Sequence, residues 1–177
     1  TYDPKQLRSK VGIVPQKAVL FAGTIRENLL WGNENATEEQ LERALEISQA
    51  KEFVDTKEGR LDFKIAQGGK NLSGGQRMTI ARAVVRDPEI LILDDSASAL
   101  DFATDAKLRH AIREMGNDMV VIIVSQRSSS IQYADQIIVL DDGKMVGIGT
   151  HDSLLAENEV YQEIYYSQYP EQRGGVR

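Results

Sequence analysis

The sequence predicts an α/β fold in which a parallel sheet carries a mainly helical insert. Three observations lead there. Residues 90–93 and 119–124 are wholly apolar runs, separated by a segment that places Leu108, Ala111, Ile112 and Met115 at helical spacing. Continuous apolar strands joined through a helix are the pattern of a buried parallel sheet. Val11-Gly12-Ile13-Val14 reads as a further short strand ended by Pro15, and residues 21–86 then read as mostly helical.

Taken in order, Thr37-Glu38-Glu39-Gln40 is a capping-box signature, after which Leu41, Ala44, Leu45 and Ser48 share one helical face. Residues 58–71, with Gly59, Gly68 and Gly69, read as loop around a short strand. A helix from 74 to 86 stops at Asp87-Pro88, and Gly116 closes the helix that holds Leu108. Residues 137–140, the turn Asp142-Gly143 and residues 145–148 make a hairpin signal. Helices from about 152 and 159 follow, and residues 172–177 read as a loose tail.

Composition narrows the function classes. The chain has 177 residues, 21 Lys+Arg against 27 Asp+Glu and a formal net charge of −6, which argues against broad nucleic-acid binding. Zero cysteines exclude a disulfide scaffold, a thiolate metal site and a cysteine nucleophile. The run at 119–124 is far short of the roughly 20 residues that span a bilayer, and no signal stretch opens the chain. His110 reads as a surface residue and His151 as part of a helix start, while Trp31, Tyr161, Tyr165 and Tyr166 read as packing residues.

Two stretches carry chemistry. In Leu72-Ser73-Gly74-Gly75-Gln76, Ser73 and Gln76 could form a capping box. Glycine at the first two helical positions nevertheless costs about 1 kcal/mol each relative to alanine. The same glycines would expose backbone N–H groups, backed by the helix dipole, to a closely docked phosphate. In residues 90–95, Asp94 and Asp95 stand at the carboxyl end of a strand, where α/β sheets place ligands and Mg²⁺ finds carboxylates beside phosphates. Alone, these acids could equally start a loop.

Together the stretches resemble the nucleotide-binding domain of an ATP-binding-cassette (ABC) transporter, over about residues 3 to 168. Leu72, Ser73, Gly74, Gly75 and Gln76 match the signature motif, residues 90–95 the Walker B strand, and Ser98-Ala99-Leu100-Asp101 the D-loop. Gln16 matches the Q-loop glutamine; residues 21–28 and Gly149-Thr150-His151 onward resemble exporter segments. The resemblance implies a P-loop NTPase core of RecA type, present in part. Its implied segments are 1–23 with the Q-loop, a helical subdomain at 24–86, core at 87–168 and a tail at 169–177. It further implies ATP and Mg²⁺ as cofactors. Gln16 and Asp94 would serve as metal ligands, Asp95, Gln126 and Asp101 as catalytic residues, and Leu72–Gln76 with Gln16 as nucleotide-binding residues.

Three departures shape that expectation. No G-x-x-x-x-G-K-[ST] phosphate loop occurs, since Gly69-Lys70-Asn71 lacks the earlier glycine and the hydroxyl residue. The family places that loop upstream of the Q-loop, so the chain is expected to be a fragment of the domain, inactive alone. Asp95 stands where the family carries a catalytic glutamate, one methylene longer. Gln126 stands where the switch histidine belongs, and can carry neither proton nor charge there. Gln67 also occupies a frequent glutamate position.

The resemblance therefore implies an exporter ATPase that pairs head to tail with a second, different nucleotide-binding domain at the cytoplasmic face of the cell membrane. This chain would lend an intact signature to the partner's site and build a degenerate site of its own. It would reach the membrane only through coupling helices of a transmembrane domain, with no nucleic acid bound. The alternatives are a soluble ABC ATPase in nucleic-acid or translation processes, and a non-hydrolysing regulatory module.

Overall fold

The structure is a computed structural model describing residues 3–70, 72, 74–116 and 118–174. It divides into two units, residues 1–124 and 125–177. The first opens with helix α1 (Pro4–Ser9). Three parallel strands follow in the order β1 (Val11–Val14), β4 (Ile90–Asp94), β5 (Val120–Val124), with Ile13 opposite Ile92 and Ile92 opposite Ile122. This is the parallel sheet that the apolar runs predict.

Between β1 and β4 lie β2 (Gly23–Thr24), α2 (Ile25–Leu30), α3 (Glu38–Ile47), α4 (Lys51–Asp55), β3 (Lys64–Ile65) and α5 (Gly75–Val85). Strands β2 and β3 pair antiparallel. Thr37 caps α3 as its sequence predicts, with the Gln40 side chain returning to the Thr37 N–H, and Thr24 with Glu27 builds the same box on α2. Leu41, Ala44 and Leu45 face the core; Ser48 is buried and satisfies its hydroxyl on the Leu45 carbonyl.

Helix α5 is buried nearly all round, from Met78 to Val85, so it is the central packing element rather than an amphipathic surface helix. It packs against α2, α3 and β1. After β4, α6 (Phe102–Glu114) starts at Asp101 and buries Leu108 and Ile112. One continuous core joins Val14, Leu29, Leu45, Ile80, Leu91 and Leu108.

Strand β5 departs from expectation. Its five residues are apolar, yet four of them are exposed. Among the described residues it is the edge of the three-stranded sheet, beside β4, and α5 packs against β1. Trp31 also departs: it stacks on Phe21 with centroids 4.7 Å apart but remains 67% exposed.

The second unit contains α7 (Ser128–Ile131), the hairpin β6 (Ile137–Asp141) and β7 (Lys144–Gly149), α8 (His151–Glu157) and α9 (Glu159–Gln168). Asp142 and Gly143 both have positive φ, 46° and 74°, as the predicted tight turn demands. Its own core holds Ile137, Val139, Leu154 and Tyr161. His151 begins α8 and its Nδ1 lies 2.9 Å from the Tyr161 hydroxyl, while His110 is exposed beside Glu114. Residues 170–174 form a short 3₁₀ turn that runs into the predicted loose tail at 172–177, of which 175–177 lie outside the described residues. No helix among the described residues is long and apolar enough to cross a membrane.

Candidate functional site

Strands β1 and β4 run side by side, so the residues that leave their carboxyl ends meet. Gln16 follows β1 and donates its Nε2 to Asp95 Oδ2 at 3.1 Å. Asp94 ends β4 as an exposed residue. Asp95 adopts a left-handed backbone, φ +45°, a region that aspartate tolerates better than most side chains. Its N–H continues the sheet to the Val124 carbonyl at 2.8 Å, and its carbonyl accepts from the Ser98 hydroxyl at 2.7 Å. The turn is thus fixed from both sides, with strain of about 1–3 kcal/mol of the kind that clusters at functional sites.

The N-terminus of α5 forms the second part. Ser73 lies outside the described residues. Gly74 is the N-cap and has no side-chain cap bond, and the predicted Ser73–Gln76 capping box lies outside the described residues. The Gln76 Nε2 donates to the Pro15 carbonyl at 3.2 Å, tying α5 to the loop that carries Gln16. Leu72 is buried, its N–H on the Gly69 carbonyl.

The two glycines separate on steric grounds. A Cβ on Gly74 would stand 3.1 Å from the Phe53 ring of α4, so that glycine has a packing reason. A Cβ on Gly75 would meet Ala18 at 3.4 Å, an ordinary contact. Phe53 thus crowds a side chain at Gly74 by a few tenths of an ångström, whereas one at Gly75 would meet Ala18 and Leu20 only at ordinary contact distance.

A cleft of about 230 Å³ joins this N-terminus to the segment before α6, lined by Gly74, Gln76, Arg77, Leu100, Asp101 and Thr104. Asp101 caps α6, accepting from the Thr104 N–H at 2.9 Å and the Thr104 hydroxyl at 2.7 Å. Those donors, the backbone one first, hold its carboxyl below the usual carboxylate range. A larger cleft of about 690 Å³ lies elsewhere, beside Ser9, Glu27, Trp31 and Arg86, and none of the predicted site residues lines it.

Gln126 belongs to the second unit. Its carbonyl accepts from Gln168 Nε2 at 2.8 Å, and Gln168 Oε1 accepts from the Ser128 N–H at 3.0 Å, so α9 holds the turn after Ser125. Gln67 lies exposed in a 3₁₀ turn.

Sequence reasoning passed over Arg82 and Asn28. Arg82 reaches from α5 to the carbonyls of Asn28 and Val19. Buried polar partners of this kind leave no periodic signal. Ser96 is similar: it is buried beside Asp95 with a hydroxyl that finds no hydrogen-bond partner among the described residues.

For metal chemistry, Asp94 and the Gln16 amide beside Asp95 would offer a hard-oxygen set of the kind that Mg²⁺ takes. No group of three or more His, Cys, Asp or Glu among the described residues could hold a metal. The set therefore fits a cation whose remaining ligands are phosphate oxygens and water.

A parallel sheet with acids at its carboxyl edge, facing a helical insert that ends in a glycine-opened helix, defines the ABC form of the P-loop NTPase fold. The chain belongs to the ABC transporter family, whose profile matches residues 1–98. It is 46% identical over 172 residues to an uncharacterized ABC transporter ATP-binding protein of Mycobacterium tuberculosis, covering 94% of this chain and 29% of that one. It is 39% identical to the ATP-dependent lipid A-core flippase of Pectobacterium atrosepticum, covering 96% and 30%. A solved bacterial Atm1-family ABC exporter with ATP bound superposes with a TM-score of 0.89 at 32% identity, over 93% of this chain and 29% of that one. The chain thus spans under a third of the length of these relatives.

Proposed function

We propose that the chain is the ATP-binding and ATP-hydrolysing module of an ABC exporter, one half of a heterodimeric pair whose two composite sites are unequal. The observation that carries the reading is the Gln16–Asp95 hydrogen bond beside Asp94, which brings the residues of the expected cation site to one sheet edge. The exporter relatives and the superposed Atm1-family structure support the transport role.

In this reading Asp94 and the Gln16 oxygen hold Mg²⁺, while the Gln16 nitrogen remains on Asp95. Bound Mg-ATP supplies the phosphoanhydride bond. Asp95 accepts a hydrogen bond from the attacking water, but with a side chain one methylene shorter than glutamate and one oxygen engaged by Gln16. A misplacement of about 1 Å costs on the order of 10²-fold. Gln126 hydrogen-bonds a phosphate oxygen without supplying charge. The site is therefore degenerate.

The N-terminus of α5, with Ser73, Gly74, Gly75 and Gln76, serves the partner's site. Its N–H groups face a γ-phosphate whose charge shifts during transfer, and losing one preorganised donor costs about 10²–10³-fold. Asp101 positions the start of α6 at the same cleft. The helical subdomain couples to transmembrane helices, at the cytoplasmic face of the membrane.

The test is steady-state phosphate release by the purified, assembled exporter. Gly75→Asp puts a carboxylate against the phosphate and is expected to abolish activity. Asp95→Ala removes a base already poorly placed and is expected to change activity only several-fold. Near-complete loss from both would mean two equivalent hydrolytic sites and an ordinary homodimer.

A further inference from the structure

Arg82 projects from α5 two turns beyond Gly74 and makes three hydrogen bonds, each to an uncharged acceptor. Its Nε donates to the Asn28 carbonyl at 2.8 Å, its Nη1 to the Val19 carbonyl at 2.9 Å, and its Nη2 to Asn28 Oδ1 at 2.9 Å. The guanidinium also lies 5.2 Å over the Phe21 ring. Burial pushes its pKa down. A half-buried cation that finds no carboxylate partner among the described residues is an expensive way to fix a loop, and apolar packing would do so at lower cost.

Asn28 completes the joint. It is 2% exposed. Its Nδ2 donates to the Phe21 carbonyl at 2.9 Å and the Thr24 carbonyl at 3.0 Å, and its Oδ1 also accepts from the Phe21 N–H at 2.9 Å. The amide therefore reads the backbone of the loop between Gln16 and α2 while Arg82 reads the amide. At the far end of this run Phe21 stacks on Trp31, which is exposed and is the sole tryptophan of the sequence. From the glycine-started N-terminus at Gly75, a continuous series of contacts runs along α5 through Arg82 and Asn28 to the Phe21–Trp31 pair.

We propose that Arg82, seated on Asn28, is a positioning residue that makes the segment 19–28, from the loop into α2, and the Phe21–Trp31 pair move as one body with α5. Nucleotide engaged at the N-terminus of α5 is thereby felt at an exposed aromatic surface that makes no contact with it. The inference rests on the ATP-binding reading above. A rigid planar fork is what the geometry uses, because three acceptors in different directions are met by one guanidinium. Lysine keeps the charge and loses the fork.

The experiment uses the assembled exporter in a background where Trp31 is the sole tryptophan, comparing Arg82→Lys and Asn28→Asp with the parent. Asn28→Asp keeps an acceptor for Arg82 and removes both donors to the loop carbonyls. Trp31 emission is followed on adding Mg-ATP, and kcat and KM are measured per folded transporter. The parent is expected to show an emission change. Both variants are expected to lose that change and about tenfold in kcat, with KM within about twofold. A variant with the parental emission response and kcat overturns the proposal. So does failure of both variants to accumulate folded, which would assign Arg82 a purely structural role. A parent that neither binds nor hydrolyses Mg-ATP would instead overturn the ATP-binding reading, and the inference with it.

Discussion

At the scale of single residues, Asp95 holds the most information. Its left-handed backbone, its hydrogen bond from Gln16 and its short side chain all follow from one position after β4. Glutamate there would extend the carboxylate by one methylene, but tolerates φ +45° less well than aspartate. Asp95→Glu combined with Gln126→His is therefore expected to raise turnover of the assembled pair, or to lessen its dependence on the partner's site, with a small loss of thermal stability. Phosphate release and a thermal melt of the same preparation measure both. If turnover and dependence are untouched, these two positions are not what weakens the site. The Asp94-Asp95 pair and Gln16 were legible because strand-end acids and a known family order mark them. Arg82, Asn28 and Ser96 were not, because a polar residue in a helical stretch looks solvent-facing until the fold buries it.

At the scale of elements, the capping box of α3 and the apolar stripe behind it read directly from sequence, since both are local. The hairpin turn at Asp142-Gly143 is local too. What the sequence does not announce is long-range: the Gln76 side chain reaches the Pro15 carbonyl, and apolar β5 lies exposed at a sheet edge. The glycines of α5 show how packing and function divide one motif. Gly74 has φ −101°, which alanine adopts freely, so its need for glycine is steric and comes from Phe53. Gly74→Ala is expected to destabilise the protein by about 1–3 kcal/mol, as overpacking does. Combining it with Phe53→Leu should recover at least about 0.5 kcal/mol relative to additivity. Gly75→Ala should leave stability nearly unchanged. Urea unfolding of the parent, the three single variants Gly74→Ala, Phe53→Leu and Gly75→Ala, and the double variant decides: additive effects, or a neutral Gly74→Ala, would remove Phe53 as the reason for that glycine.

At the scale of the whole molecule, the proposed reading has this chain supply pieces of phosphate chemistry to two composite sites. The sequence contains no phosphate-loop motif, and such loops provide most of the backbone N–H donors and the lysine that hold β- and γ-phosphates. Among the described residues, the proposed reading draws on a pair of acids with one amide at the sheet edge and on the glycine-started N-terminus of α5. In the proposed pair these serve two different nucleotides, one belonging to each composite site. Two carboxylates also repel a triphosphate unless a cation intervenes. The 177-residue chain by itself is accordingly expected to bind Mg-ATP no tighter than about 1 mM, which corresponds to roughly −4 kcal/mol, and to release no phosphate. Calorimetric titration of the isolated chain with Mg-ATP tests this, with the assembled exporter as the positive control. A micromolar dissociation constant for the isolated chain would show that its own residues close a nucleotide site. The division of labour between two partners would then lose its physical basis.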